Sequence, residues 1–363
     1  MTEWLAGNRI RGTKHERLNT SGIAKVSGSW KEVGRTTLDT AGTNISVLNI
    51  PNRQYYMILT NIFPSAQTEG DCFRLNDDST GNHFAGNITL NGSTMSPFTS
   101  KNKIGWYGFH PHTLPAFSVG YMSSNYGKQK LIMNTSVGMS SNTTGAASDA
   151  ACPDRSKMVG KYVPSDLGDS ITQVNIVNTW NNYQVGSEVV VLGWDESNTS
   201  TVNFWEELTP VGGVTATGSV AYLDSGSFAA KKYLWVQIYV HATGGAITPQ
   251  IEFNGSGGSA YIDRNHTDAT EYPTPNKSQS SAYLSHGASD PTFINLFIIN
   301  NKTQEKLGTS ESVSGASGVV PTKSKYVLKW ANTTEEITSI KIKTDATQHN
   351  FSTTSMIKVW GSN

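Results

Sequence analysis

The sequence predicts an all-β protein, on the basis of its composition, the period-two alternation of its apolar segments and its many turn-forming clusters. The 363 residues include 41 Ser, 40 Thr, 29 Asn and 34 Gly, together 144, whereas only 15% are charged. Exposed helix faces favour Glu, Lys, Arg and Ala, because these residues lose little rotamer freedom in a helix, while Ser, Thr, Asn and Gly favour turns and exposed strand faces. The composition therefore indicates short strands joined by turns.

Two segments show the alternation expected of half-buried strands. Positions 234, 236, 238 and 240 are Leu, Val, Ile and Val, and they alternate with Trp235, Gln237 and Tyr239. In residues 337–343, Ile340 and Ile342 alternate with Ser and Lys in the same way. Because amphipathic helical runs are lacking, the strands are expected to pair antiparallel in a β-sandwich, since parallel pairing needs crossover helices.

An internal repeat divides the chain. Residues 169–194 align without a gap on residues 335–360, and shorter matches precede them in the same order: 56–59 with 233–236, 73–76 with 251–254, 131–134 with 297–300, and 161–163 with 325–327. A repeat this long is a whole domain. The sequence thus predicts two tandem antiparallel β-sandwich domains, residues 28–194 and 203–363, from an internal duplication, with a linker at 195–202 and an extended N-terminal arm at 1–27.

The positions of the best-matched strands favour a jelly-roll-like sandwich. In each repeat, the first and last long strands lie about 130 residues apart, yet they carry the closest matches, and a jelly roll brings such terminal strands together.

The charge balance and the N-terminal segment limit the partners and the location that can be expected for the protein. Lys and Arg number 28 and Asp and Glu number 28, so no global field attracts nucleic acid. The first twenty residues lack the apolar core of a secretion signal, and no stretch is apolar enough to span a membrane. Synthesis in the cytoplasm is expected. We interpret residues 1–27 as an assembly arm, with four candidate contact residues: Trp4, Arg9, Arg11 and Arg17.

Catalytic signatures are missing, so an enzyme is not expected. No GxSxG elbow or Cys-His signature occurs. Glu206-Glu207 and Glu335-Glu336 are adjacent pairs, and adjacent strand residues face opposite sides, so neither pair is expected to flank one glycosidic bond.

No metal or cofactor is expected either. His110 and His112 could share a strand face, but no third ligand is evident, and Pro111 favours a loop. Asp71, Asp77 and Asp78 do not follow calcium-loop spacing, so a hairpin turn is favoured there. Cys72 and Cys152 could form at most one disulfide.

Aromatic residues supply the candidate binding loop. We expect Trp30, Trp194, Trp205 and Trp360 to be core residues, because they recur in both repeats. The loop around Trp106 has no aromatic counterpart in the second repeat, and aromatic rings can stack on sugars. The candidate partner or glycan-contact residues are Trp106, Tyr107, Phe109, His110 and His112.

Several motifs carry a resemblance to a known class of proteins. These are the opening MTEWLAGNRIRGT, the SWKEVGRTTL segment, the strand at residues 56–59 with the later RLNDDSTGN, and the closing VVVLGW and IKVWG. They resemble tandem sandwich (jelly-roll-like) virion structural proteins of marine bacterial and archaeal viruses. The resemblance implies a virion protein that is made in the host cytoplasm.

Two versions of that function stay open. A capsid protein would place its two jelly rolls side by side in a trimeric capsomer whose copies are tied together by the arm. A decoration, spike or fibre protein would dock by its arm while its loops contact a host glycan. Both imply a homo-oligomer, with a trimer favoured, and contacts with other virion proteins. The alternative is a carbohydrate-binding or receptor-binding module with no role in building a shell.

Overall fold

The computed structural model describes residues 30–66, 71–94, 97–105, 113–139, 141–194, 203–267, 270–271, 276–285, 290–316, 318–344 and 349–363. Three predicted features lie outside these residues. They are the arm with Trp4, Arg9, Arg11 and Arg17, the linker at 195–202, and the loop with Trp106, Tyr107, Phe109, His110 and His112.

The N-terminal half, residues 30–194, folds into antiparallel strands with one short 3₁₀ turn at Asp149–Ala151. The strands are β1 (Lys31–Thr37), β2 (Asn44–Val47), β3 (Tyr55–Ile62), β4 (Asp71–Leu75), β5 (Phe84–Leu90), β6 (Ser93–Thr94), β7 (Phe98–Lys101), β8 (Ile104–Gly105), β9 (Ala116–Ser123), β10 (Lys130–Met139), β11 (Pro153–Tyr162), β12 (Val174–Asn178) and β13 (Glu188–Trp194).

These strands form a large and a small sheet with a core between them. The large sheet has the order β1-β13-β3-β9-β10-β11-β5-β6, with β7 also pairing to β5, and the small sheet has the order β2-β12-β4-β8. Apolar side chains from both sheets meet in one cluster, which includes Ile58 and Val191 from the large sheet and Phe73 and Ile176 from the small sheet. The predicted antiparallel sandwich class is therefore confirmed.

The C-terminal half, residues 203–363, is built from strands in the same way. They are β14 (Glu206–Glu207), β15 (Val214–Thr215), β16 (Tyr222–Ser227), β17 (Tyr233–Val240), β18 (Ala242–Thr243), β19 (Pro249–Phe253), β20 (Tyr261–Thr267), β21 (Thr270–Glu271), β22 (Asn276–Gln279), β23 (Ala282–Tyr283), β24 (Thr292–Ile299), β25 (Lys306–Ser314), β26 (Thr322–Trp330), β27 (Ser339–Thr344), β28 (Asn350–Phe351) and β29 (Met356–Ser362).

The two halves share one strand order. The large sheet of the C-terminal half runs β14-β29-β17-β24-β25-β26-β20-β21, with β15 beside β29 and β22 beside β20, and its small sheet runs β16-β27-β19-β23. The predicted alternation in β17 is confirmed, because Leu234, Val236, Ile238 and Val240 are buried in the core of this half while Trp235 and its odd-numbered neighbours face away from it.

The register of the sheets supports some of the sequence matches and corrects others. Residues 73–76 and 251–254 do occupy equivalent strands, β4 and β19. Residues 131–134 lie in β10, whereas residues 297–300 fall at the end of β24, whose counterpart is β9, so that match is wrong. The pairing of Tyr56 with Tyr233 is wrong by one residue, since Tyr55 and Tyr233 are the residues at equivalent register positions. Short apolar strands resemble one another too closely for sequence to fix their register.

The two large sheets pack face to face through the faces that point away from their own small sheets. An inter-half core joins them, containing Leu59, Phe117 and Val190 from the N-terminal half with Tyr233 and Phe297 from the C-terminal half. Strands β9, β10 and β11 contact their counterparts β24, β25 and β26. The halves therefore contact each other through their large sheets.

Candidate functional site

A buried carboxylate marks the contact between the halves. Glu188, at the start of β13, is 3% exposed. It accepts hydrogen bonds from the Tyr233 hydroxyl at 2.6 Å, from Lys232 Nζ at 2.9 Å and from Thr37 Oγ1 at 2.5 Å, and Arg35 lies 3.4 Å away. Burial raises the pKa of this carboxyl, but the hydrogen bonds from Thr37 and Tyr233 and the charge of Lys232 outweigh burial, so its pKa is lowered.

Further polar contacts hold the other side of the interface. Arg264 lies 3.4 Å from Asp154, and Arg155 donates to the Lys325 carbonyl at 3.3 Å. Glu305 accepts from the Gly145 backbone N–H at 2.5 Å, and its other oxygen lies 3.0 Å from the fully buried Lys329 ammonium. Apolar packing and charged contacts thus extend across the whole contact, which favours one rigid body over two hinged domains.

The inter-half core leaves one end of the N-terminal large sheet uncovered, and an apolar groove of about 630 Å³ lies there. Strands β3, β9, β10, β11 and β13 form its floor and walls. The described residues that line it are apolar or aromatic except for one serine: Trp30, Tyr55, Tyr56, Tyr121, Met122, Ser123, Leu131, Ile132, Met133, Val159 and Trp194.

The groove exposes apolar side chains that period-two geometry turns away from the core. Leu131 and Met133 are 58% and 55% exposed, while the alternating residues Lys130 and Ile132 are buried. Tyr55 packs on Trp194 with ring centroids 5.4 Å apart, and Trp30 packs on Tyr121 at 6.5 Å. A contiguous apolar surface with rigid aromatic walls is typical of a binding site for another chain or an apolar ligand.

The four recurrent tryptophans were predicted as core, which is confirmed for Trp205 and wrong for Trp194, while Trp30 and Trp360 are half-buried at the edge of the inter-half core. Only Trp205 is buried, at 3% exposure, in the inter-half core. Trp30 and Trp194 are half-buried and line the groove, and Trp360 is half-buried on the outer face of β29 against Trp235. Trp194 and Trp360 lie two register positions apart, since Trp194 pairs with Tyr55 and Trp360 pairs with Trp235, but both are on the outer face of their sheet. The packing of the halves decided which part of that face stays open.

The sequence analysis does not predict the groove, but one segment indicates that the large sheet is covered on both faces. The run at residues 189–192, Val-Val-Val-Leu, is buried on both faces of its strand. Uninterrupted apolar runs are typical of strands covered on both sides, so this run indicates a second layer over the large sheet.

The other carboxylates singled out from the sequence have structural roles. Glu206 pairs with Lys231 at 2.9 Å and Glu207 with Lys358 at 3.6 Å. Asp77 and Asp78 follow β4 in a turn in which Asn76 and Asp77 have positive φ, so a turn is confirmed at this site. The prediction of a hairpin is wrong, because the turn leads from β4 in the small sheet to β5 in the large sheet and these strands do not pair.

One Ser-His-Asp set occurs beside that turn. His83 Nδ1 bonds the Asp78 carboxylate, and Ser165 Oγ lies 3.4 Å from His83 Nε2. The same Asp78 carboxylate also accepts from the Tyr162 hydroxyl at 3.0 Å and from the Thr80 N–H at 2.9 Å. Burial raises the pKa of Asp78, but the hydrogen bonds from His83 and Thr80 outweigh burial, so the pKa is lowered from its usual value. These contacts tie the turn to β11.

Within the described ranges, no group of three His, Cys, Asp or Glu side chains is placed to hold a metal ion. Cys72 and Cys152 are both buried and do not bond to each other. The part of the chain that the structure describes contains no helix of the length and apolarity needed to cross a membrane.

A scan against protein-family models and a search of curated proteins found no match to this chain.

Proposed function

We propose that the protein is a structural subunit of a virus particle, either a shell protein or a surface appendage such as a decoration, spike or fibre protein. The observation that carries this proposal is the apolar groove on an otherwise rigid double sandwich. An exposed apolar patch of this kind is a liability in a monomer and an association surface in an assembly. The subunit then forms homo-oligomers, with a trimer favoured, and contacts other virion proteins through the groove and its N-terminal arm.

The architecture supports the same proposal. The orders β1-β13-β3-β9 and β2-β12-β4-β8 are those of an eight-stranded jelly roll, and the C-terminal half repeats them with β14, β29, β17, β24 and β16, β27, β19, β23. We infer two jelly rolls from an internal duplication, joined through their large sheets. Jelly rolls recur in viral capsids, where their paired sheets give a stiff block with short edges.

A carbohydrate-binding or receptor-binding module is the second candidate, and the five aromatic residues that line the groove favour it. Sugar sites combine such rings with several polar groups that bond the hydroxyls. Among the described residues that line the groove, Ser123 is the one with neither an apolar nor an aromatic side chain. This chemistry suits an apolar segment of protein better than a glycan.

The test is the mass of the purified protein in solution by light scattering, in four forms: the full chain, a chain lacking residues 1–26, Met133→Glu and Val313→Glu. Met133 and Val313 are exposed apolar residues on outer sheet faces, at 55% and 43%, but only Met133 lines the groove. We expect closed oligomers from the full chain and from Val313→Glu, and smaller species from the other two. Circular dichroism checks that each form is folded. A monomer in all four forms would refute the assembly role and make a sugar screen the next step.

A further inference from the structure

We infer that the apolar groove is the docking site for the N-terminal segment, residues 1–29, of a second copy of this chain. The inference rests on the proposed function, because it names the partner through which copies assemble. It comes from three observations: where the segment joins the fold, what it is made of, and what the groove offers.

The segment joins the fold at the groove wall. Trp30 lines the groove, and its carbonyl accepts a hydrogen bond from the Phe204 N–H at 2.8 Å before β1 begins at Lys31. The twenty-nine residues that precede Trp30 could span up to about 100 Å if extended. This length exceeds the width of a folded domain of this size, so a segment that starts at one groove can extend beyond its own copy.

The composition of the segment suits the groove. It carries large apolar side chains at Trp4, Leu5 and Ile10, separated by small and basic residues. An aromatic side chain such as Trp4 buries a large apolar area in a preformed pocket at little cost in conformational entropy. The basic residues Arg9 and Arg11 would stay at the rim, where they keep their hydration.

The groove offers rigid walls and adaptable sides. Tyr55, Trp194, Trp30 and Tyr121 pack in pairs, so their rings are held before anything binds. Met133, on β10, is flexible and can adjust to an incoming ring. Its volume of about 630 Å³ lies within the range of sites that enclose a few large side chains.

The experiment uses the full chain with a photo-crosslinking residue, Trp4→p-benzoylphenylalanine. Equal amounts of ¹⁴N-labelled and ¹⁵N-labelled protein are mixed in urea and refolded together, so that each oligomer contains copies of both isotopes, and are then irradiated and mapped by mass spectrometry. We expect crosslinks from position 4 to peptides that contain Leu131, Met133 or Val159, and mixed-isotope pairs among them. Adding Met133→Glu should reduce these crosslinks about tenfold, because it places a charge against the docked apolar side chains, whereas Val313→Glu should not.

The outcomes separate this inference from the proposed function. Crosslinks elsewhere, or crosslinks to the groove that Met133→Glu leaves unchanged, would overturn the inference, while the oligomer that needs residues 1–26 would still stand. If all groove crosslinks joined peptides of the same isotope, the segment would dock in the groove of its own copy, and the inference of docking on a second copy would be overturned. A monomeric full chain in light scattering would refute the assembly role itself.

Discussion

Replacing Glu188 with Ala tests whether the two halves are joined by the buried interface. The change deletes the carboxylate that bonds Tyr233, Lys232 and Thr37. Tyr233 is fully buried, so its hydroxyl loses its acceptor in a place that water reaches poorly. We expect the variant to lose a large share of the free energy of unfolding.

The magnitude follows from the surroundings of the carboxylate. Removing one partner of a buried ion pair costs about 3–5 kcal/mol, and an unsatisfied buried hydroxyl accounts for about 1–3 kcal/mol of such a loss. The side chains of Lys232 and Arg35 are each 25% exposed, so water can solvate them when the carboxylate is removed. The loss of free energy of unfolding should therefore lie near the lower end of the range for a buried ion pair. We therefore expect about 3 kcal/mol.

A matched control comes from the chain itself. Glu206 contacts Lys231 at 2.9 Å, the same distance as Glu188 to Lys232, but its side chain is 65% exposed. Glu206→Ala should cost less than about 1 kcal/mol, because solvent screens exposed pairs. Both variants are compared by urea denaturation at pH 7, followed by tryptophan fluorescence and by circular dichroism. Equal small losses in the two variants would refute the reasoning, as would two separate transitions in the native protein.

Three more expectations follow from buried or constrained groups. Burial raises the pKa of Asp263 to about 7 from 3.8, even though the Asn276 side chain and the Tyr283 N–H donate to it. The folded state therefore binds the extra proton between these values, so the free energy of unfolding should fall by up to about 1.4 kcal/mol per pH unit as pH rises from about 4 to 7. The melting temperature should fall with it, and Asp263→Asn should flatten that slope. Lys306 Nζ donates to three backbone carbonyls and Lys130 Nζ to two, so Lys306→Met should cost about 2–3 kcal/mol in urea denaturation and more than Lys130→Met; the reverse order would contradict the count of lost donors. Ser165 should resist a fluorophosphonate probe, because its histidine partner is engaged in holding the turn, and rapid labelling of the native protein would reveal an activated nucleophile.

The sequence was sufficient for the β class and for which side of a strand faces its own core. In β17 and β27, period-two alternation places Leu234 and Ile342 inward, and burial agrees. Strand chemistry explains this success, because side chains alternate between two faces and only one face of an isolated sandwich sheet is buried. The internal repeat in the sequence also identified strands that occupy equivalent positions in the two halves, such as β12 and β27.

The tertiary structure alone decided what covers the second face of the large sheets. Phe117 and Met133 both point outward from neighbouring strands, yet Phe117 is buried against the other half and Met133 is 55% exposed in the groove. Nothing in their local patterns distinguishes them, because the difference depends on how far the other half extends over the sheet. Local sequence determines the two faces of a strand through backbone geometry, whereas contacts between residues more than a hundred positions apart determine which part of the outer face remains open to a partner.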